Sequence, residues 1–317
     1  MDSSQNCFGN EAEMVSNRLM QEVNELGEDA LIGKLTENWT TGSGVVVGVG
    51  DDCAVVESAD PHTYTLLKTD AVIEGVHFLA DENYQRVGWK ALARVVSDFA
   101  AMGGWGDFYL VTLALPADFA VDKVSALYRG LEICAQKFGG QLVGGETSSV
   151  PAGSAAVISI AGTGRVKRDQ LVKRTGATAG DVIYVTGQLG GSIRGKHLDF
   201  EPRVEAASWL AENFLPNSMM DLSDGLAKDL PRLADYSSCG YQLDFENIPL
   251  SEGCELSQAL NDGEDYELLL TQPAEVVDEL ELAWDLAFPD LQLSRIGICT
   301  SEPSDQLAGG WGHFSNK

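Results

Sequence analysis

The chain has few basic residues, few histidines and no paired-cysteine motif. Among its 317 residues, lysine and arginine number 21 against 48 aspartates and glutamates, a formal net charge of −27. So acidic a surface repels nucleic acid and anionic membranes, and neither is expected as a partner. It repels a nucleotide as well, so a phosphate substrate would need divalent cations to bridge it to the protein. The six cysteines, at 7, 53, 134, 239, 254 and 299, include no Cys-x-x-Cys pair, and the four histidines are equally dispersed. That argues against zinc and a disulfide framework, and a reduced, cytoplasmic setting is expected. No stretch approaches the ~20 apolar residues of a membrane span, and no basic segment at the N-terminus leads into an apolar run, so a soluble protein is expected. No Gly-x-Gly-x-x-Gly opens a helix. Gly190 to His197 reads nearly as a P-loop but ends in His, where a Ser or Thr hydroxyl would hold Mg²⁺. It is read as a Gly-rich loop.

What is present describes an α+β protein large enough for two cores. Residues 1–26 read as an N-terminal extension, with a weak helical pattern through Met14, Leu19, Met20, Val23 and Leu26. A short helix at 28–37 precedes strands at Val45–Val49, Tyr64–Thr69, Tyr109–Leu115 and Ala155–Ile160. Helices are expected over Val87–Met102, where Leu92, Val95, Val96, Phe99 and Met102 share one face, and over 121–138. Gly, Lys, Arg and Thr mix between Thr163 and Asp181, the expected boundary between an N-terminal domain of 27–165 and a C-terminal domain of 166–317. Beyond it come strands at Val182–Thr186, 241–245, 266–271 and 293–299, with helices near 202–213 and 224–236. Strict βαβ alternation is missing, which predicts mixed sheets packed with helices rather than a doubly wound sheet.

Acidic residues cluster at the ends of the apolar elements. Asp51 and Asp52 follow Val45–Gly50, in a turn that two aspartates would also form for purely local reasons. Thr69-Asp70 ends the next strand, with His77 seven residues on. Asp98 interrupts an apolar helix; it is capped, faces solvent or serves a metal, because an unpaired buried carboxylate is costly. In Asp221-Leu222-Ser223-Asp224-Gly225, Ser223 reads as a helix cap, while Asp221 precedes the cap and can face a ligand at the helix N-terminus. Glu264, Asp265 and Glu267 precede Leu268–Leu270. Hard oxygen ligands select Mg²⁺ or Mn²⁺, and so many carboxylates together point to phosphoryl chemistry by metal-assisted positioning.

The ordered motifs GVGDDCAVV (48–56), KTDAVIEGVHF (68–78), KALARVVSDFAAMGG (90–104), GGETS (144–148), MDLSDGLAKDL (220–230), DGEDYELLL (262–270) and GWGHF (310–314) resemble the thiamine-monophosphate kinase family from about Gly27 to Phe314. The wider superfamily includes aminoimidazole ribonucleotide synthetase, selenophosphate synthetase and the hydrogenase maturation protein HypE. The resemblance implies a homodimer whose N-terminal domain binds ATP and Mg²⁺ and forms the dimer contact. It implies direct in-line transfer from ATP to thiamine monophosphate, with several Mg²⁺ ions and Asp98, Asp221 and Arg174 as catalytic groups. Metal ligation is implied for Asp52, Lys68, Thr69, Asp70, Asp98, Glu146, Asp221 and Asp224. ATP contacts are implied for Tyr128, Gly145, Glu146, Arg174 and Ser223, and thiamine-phosphate contacts for His77, Glu264 and Trp311.

Three positions depart from the family pattern. Glu146 stands where Asp is usual, Lys68 where Ser or Thr commonly supplies a ligand, and Val95 where Asn is usual. Two other readings therefore stay open. One is an ATP-dependent synthetase of the same superfamily; the other is a weakly active paralogue that binds nucleotide or thiamine phosphate.

Overall fold

The computed structural model describes residues 22–304, 307 and 309–314. Met14, Leu19 and Met20 of the expected N-terminal pattern lie outside the described residues. The described residues divide into two compact units, 22–40 with 311–314 in one and those between 41 and 310 in the other. In the first, α1 (Val23–Leu26) and α2 (Glu28–Thr36) meet at Gly27, whose φ of +78° turns the chain between them.

The second unit is built on two sheets. The first contains β1 (Val45–Val47), β2 (Ala54–Glu57), β3 (Thr63–Ile73), β4 (Trp105–Pro116), β5 (Gln141–Val150) and β6 (Val157–Lys167), in the order β1-β2-β3-β6-β4-β5. All its pairings are antiparallel except β4 with β5, which run parallel because the long helix α4 (Val121–Phe138) carries the chain across between them. Ile158, Ile160 and Val166 of β6 alternate inward, against Leu92, Val95, Val96, Phe99 and Met102 of α3 (Tyr84–Ala101). The Asn83 side chain caps α3 by accepting from Gln85 N at 2.9 Å.

Helices α3 and α4 approach closely because each carries a glycine at the crossing. A Cβ on Gly130 would lie 1.9 Å from the Gln85 carbonyl oxygen, and one on Gly88 would lie 1.9 Å from that of Leu127. Gly130→Ala is therefore expected to destabilise the protein by about 3 kcal/mol through overpacking. That exceeds the roughly 1 kcal/mol that Ala gains over Gly in a helix interior. Denaturant unfolding of the variant tests this, and a rise in stability would refute the close approach.

The second sheet contains β7 (Val182–Thr186), β8 (Ser218–Asp221), β9 (Gly240–Leu243), β10 (Leu268–Gln272) and β11 (Leu293–Thr300), antiparallel throughout in the order β8-β10-β7-β11-β9. β7 and β10 are buried along their full length, as continuous apolar runs covered on both faces must be. One face packs on α7 (Leu226–Ser237) through Leu226, Leu230 and Leu233. The other packs on α6 (Val204–Asn213) and α9 (Val277–Ala287) through Leu210, Leu280 and Trp284. Two short helices, α5 (Lys196–Asp199) and α8 (Leu256–Asn261), complete the unit.

The α+β class expected from the sequence is the class observed. β3 runs four residues past Thr69, because β6 pairs with it as far as Ile73 opposite Val157, so Asp70 lies within a strand rather than at its end. The expected Ser223 cap is corrected as well. Helix α7 begins at Leu226, behind Gly225 at φ +95° with no side-chain cap bond, and Asp229 reaches back to accept from Asp224 N at 2.9 Å.

Candidate active site

Three buried aspartates converge from three separate elements. Asp52 lies in the turn after β1, Asp98 on α3 and Asp221 at the end of β8, and one carboxylate oxygen from each lies within 4.8 Å of the others. Asp98 is brought in by the helical stripe that also carries Lys90, Arg94 and Ser97, and this stripe faces the second sheet and β3. Ser97 Oγ donates to Asp221 Oδ2 at 2.6 Å, fixing a carboxylate of one sheet from a helix packed on the other. The Asp52 Oδ2 atom is buried and has no hydrogen-bond partner among the described residues. An orphaned oxygen in an all-carboxylate donor set is what a hard divalent cation satisfies, so these residues fit Mg²⁺.

Cations surround this group. The Arg174 guanidinium donates to Asp52 Oδ1 through Nη2 at 2.5 Å and Nε at 3.2 Å, while its backbone N–H meets the Asp51 carboxylate at 3.2 Å. Lys68 Nζ donates to Asp98 Oδ1 at 2.7 Å. Arg94 Nε pairs with Asp70 Oδ2 at 3.0 Å, and a second guanidinium nitrogen donates to the Ala71 carbonyl. Strand alternation turns Lys68 and Asp70 toward α3 and leaves Thr69 exposed on the opposite face of β3.

A second polar centre lies further along the same helix stripe. Lys90 is fully buried, and its Nζ meets the His77 carbonyl at 2.7 Å, His197 Nδ1 at 2.8 Å and Glu264 Oε1 at 2.7 Å. Burial lowers the Lys90 pKa to about 8 in spite of Glu264. Burial alone would raise the Glu264 carboxyl, but the His197 hydrogen bond and the Lys90 charge outweigh it and hold the carboxyl at about 2. Glu264 and Tyr266 adopt positive φ, +54° and +51°, in a loop held by the stacking of Tyr266 on Phe200 at 3.9 Å. Two further contacts tie α3 to the second half: Trp89 Nε1 donates to the Phe200 carbonyl at 2.8 Å and Arg86 Nε to Asp199 at 2.8 Å.

The remaining sequence candidates are placed as follows. Asp224 pairs with Lys228 at 2.7 Å and Arg232 at 3.2 Å, beside Ser223 in the β8–α7 turn. Gly145 and Glu146 lie on the exposed edge strand β5, where Glu146 accepts from Ser148 Oγ at 2.9 Å. Tyr128 packs half-buried on α4. Trp311, in the first unit, meets His313 edge-on at 4.3 Å. The Gly190–His197 loop is no phosphate cradle: the Gly190 N–H is spent on Asp265 at 3.0 Å and that of Gly191 on Asp262 at 2.8 Å. Sequence reasoning missed Lys90, Arg94, Ser97 and His197. Spacings of four and seven or eight from Lys90 to Arg94, Ser97 and Asp98 would have exposed the first three as one polar stripe.

Crowded carboxylates raise one another. Burial, followed by Asp52, pushes the Asp51 carboxyl up to about 7 and that of Asp221 up to about 6; burial, followed by Asp224, pushes Asp229 up to about 8. Asp98 is driven well above its ordinary value, again by burial first. An acid whose folded pKa exceeds its unfolded value takes up protons on folding, so its contribution falls as pH rises through that interval. The metal-free protein is therefore expected to melt at a lower temperature at pH 8 than at pH 6. Saturating Mg²⁺ should raise the pH 8 melting temperature more than the pH 6 one. Equal Mg²⁺ shifts in calorimetry at the two pH values would contradict this picture.

Two sheets of this topology, with carboxylates gathered where they meet, define the AIR synthase-related class. Residues 50–166 match the family described as AIR synthase related protein, N-terminal domain, and residues 178–305 its C-terminal domain. The chain is 38% identical to thiamine-monophosphate kinase of Rhodopirellula baltica, over 71% of this chain and 75% of that one. It is 32% identical to the enzyme of that name from Aquifex aeolicus, over 92% of this chain and 99% of that one. A solved structure, AaThiL complexed with AMPPCP and TMP, superposes with a TM-score of 0.79 at 30% identity, covering 93% of this chain and 99% of that one. The chain belongs to the thiamine-monophosphate kinase family.

Proposed function

We propose that this protein transfers the γ-phosphoryl group of ATP to thiamine monophosphate, giving thiamine diphosphate and ADP. The observation that carries this reading is the convergence of Asp52, Asp98 and Asp221 within 4.8 Å beside Arg174, in a chain whose relatives bear the kinase name. Asp52, Asp98 and Asp221 would hold Mg²⁺, with Asp70 and Asp224 as further ligands once substrates bind, while Thr69 and Glu146, exposed on the first sheet, would serve a separate ion. Metal ions held there would offset the repulsion between the two phosphate chains and keep donor and acceptor in line.

The chain's own groups do the rest. Arg174, whose Nε and Nη2 are held by Asp52 Oδ1, would turn its remaining donor capacity to a phosphate oxygen, and Ser97 holds Asp221 in one orientation. No general base is needed, because a phosphate monoester with a second pKa near ~6 is already largely dianionic at neutral pH. We assign ATP contacts to Tyr128, Gly145, Glu146, Arg174 and Ser223. Thiamine-phosphate contacts fall to His77, Glu264 and Trp311, whose indole face suits a thiazolium cation. The decisive assay incubates purified protein with ATP, Mg²⁺ and thiamine monophosphate and follows thiamine diphosphate by chromatography. ATP hydrolysis without that product would sink the reading in favour of another ATP-dependent synthetase. Ligand binding without turnover would leave only a binding paralogue.

The same reading includes a cytoplasmic homodimer with domains 27–165 and 166–317. The homodimer is supported by the face of the first sheet turned away from α3, where Leu67, Phe108, Leu110 and Val143 are exposed around an open apolar hollow of about 570 Å³. Light scattering at micromolar concentration is expected to give twice the 34.0 kDa chain mass. A monomer mass would remove the homodimer from the proposal.

A further inference from the structure

Lys68 faces the carboxylate group from β3, at a position where the resemblance implies Ser or Thr. Its Nζ lies 2.7 Å from Asp98 Oδ1, and its side chain and that of Asp70 share the face of β3 that looks onto α3. An ammonium has three donors and no lone pair, so it cannot ligate a metal. It can, however, supply the positive charge that a metal would. Asp98 is buried, and one of its two oxygens is already committed to this contact. A divalent ion bridging both Asp98 oxygens would have to displace the ammonium against its tether. By contrast, Asp52 Oδ2 still lacks any partner among the described residues, so capacity for a cation remains on the other side of the group.

We propose that the Lys68 ammonium is a resident cation of the carboxylate cluster, taking the place of one divalent ion beside Asp98. The chain thus assembles its site with one metal ion fewer than it would with a hydroxyl side chain at that position. This rests on the reading of Asp52, Asp98 and Asp221 as metal ligands. It makes the ammonium a built-in component of the site: the charge is covalently attached, needs no recruitment from solution, and is not lost at low Mg²⁺. The site should accordingly depend less steeply on divalent concentration than that of the Lys68→Ser variant.

The test counts bound Mn²⁺ from the paramagnetic signal of free Mn²⁺ during titration, with AMPPCP present, in unmutated protein, Lys68→Ser, Lys68→Thr and Lys68→Arg. Lys68→Ser and Lys68→Thr are expected to bind one additional Mn²⁺ per chain, and Lys68→Arg to match the unmutated count. Equal or lower counts in folded Lys68→Ser or Lys68→Thr would overturn the proposal, with folding checked by thermal melting. Asp98→Asn separates the two levels. If the unmutated protein and Asp98→Asn bind the same number of Mn²⁺ ions, Asp98 is no ligand, and the metal reading fails together with the role of Lys68. If Asp98→Asn binds fewer while the Lys68 variants leave the count unchanged, only the proposal for Lys68 fails.

Discussion

Asp221→Asn is expected to lower kcat for thiamine diphosphate formation by about 10³-fold, the upper range for removing one preorganised electrostatic group from a reacting centre. Asparagine keeps the shape, and its amide oxygen can still accept from Ser97 Oγ, now 2.6 Å from Asp221 Oδ2. What disappears is one negative charge from a group of three buried carboxylates, and with it much of the attraction for a divalent ion. Stability should move little, or improve, because burial already pushes this carboxyl up to about 6 and the neutral form suits the site. Rate and stability therefore separate. A variant that keeps more than a tenth of the activity, or loses activity only because it melts, would remove Asp221 from the catalytic group.

Lys90→Met has the largest expected effect on stability. Lys90 is wholly buried and is held by Glu264, His197 and the His77 carbonyl, so its removal takes the ammonium from a partly buried carboxylate and leaves Glu264 with His197 and the more distant Arg94 charge. Breaking a buried pair by deleting one partner costs about 3–5 kcal/mol, roughly 5–8 °C in Tm for a chain of this size. Adding Glu264→Gln should recover a substantial part of that loss, since the carboxylate charge is then gone. Urea unfolding of the two single variants and the double variant gives the coupling directly. Additive losses would mean that the pair is not the source of the effect. Because Glu264 is assigned to the substrate, KM for thiamine monophosphate should rise in Lys90→Met even at temperatures where the variant is folded.

Much of this arrangement could be read from the chain before any coordinates. The α3 stripe Leu92, Val95, Val96, Phe99 and Met102 is buried as its spacing demands, and an aspartate inside such a run had to find a partner. The meeting of Asp52, Asp98 and Asp221 was legible only through motif resemblance, since local periodicity does not relate residues that lie on three separate elements far apart in the chain. β5 escaped notice because Gly144, Gly145 and Glu146 carry no apolar alternation; a single neighbour, parallel β4, holds the strand in place. The Ser223 cap failed for a tertiary reason, since the chain enters α7 through Gly225 and lets Asp229 satisfy the turn from within the helix. Lys90 escaped because a lysine among apolar residues reads as one that extends its ammonium to solvent. Here Glu264, 174 positions away, accepts it instead.

Helix α3 belongs by sequence to the first sheet, yet it spends much of its polar face on the second half: Arg86 on Asp199, Trp89 on Phe200, Lys90 on Glu264 and Ser97 on Asp221. The two halves are consequently poor candidates for exchange between relatives as interchangeable modules. A hybrid joined in the 163–181 segment would inherit one parent's helix and the other parent's receptors for it. Recombination should succeed only when the helix travels with the loop around Glu264 and the strand end at Asp221, and inheritance in this family should respect that linkage.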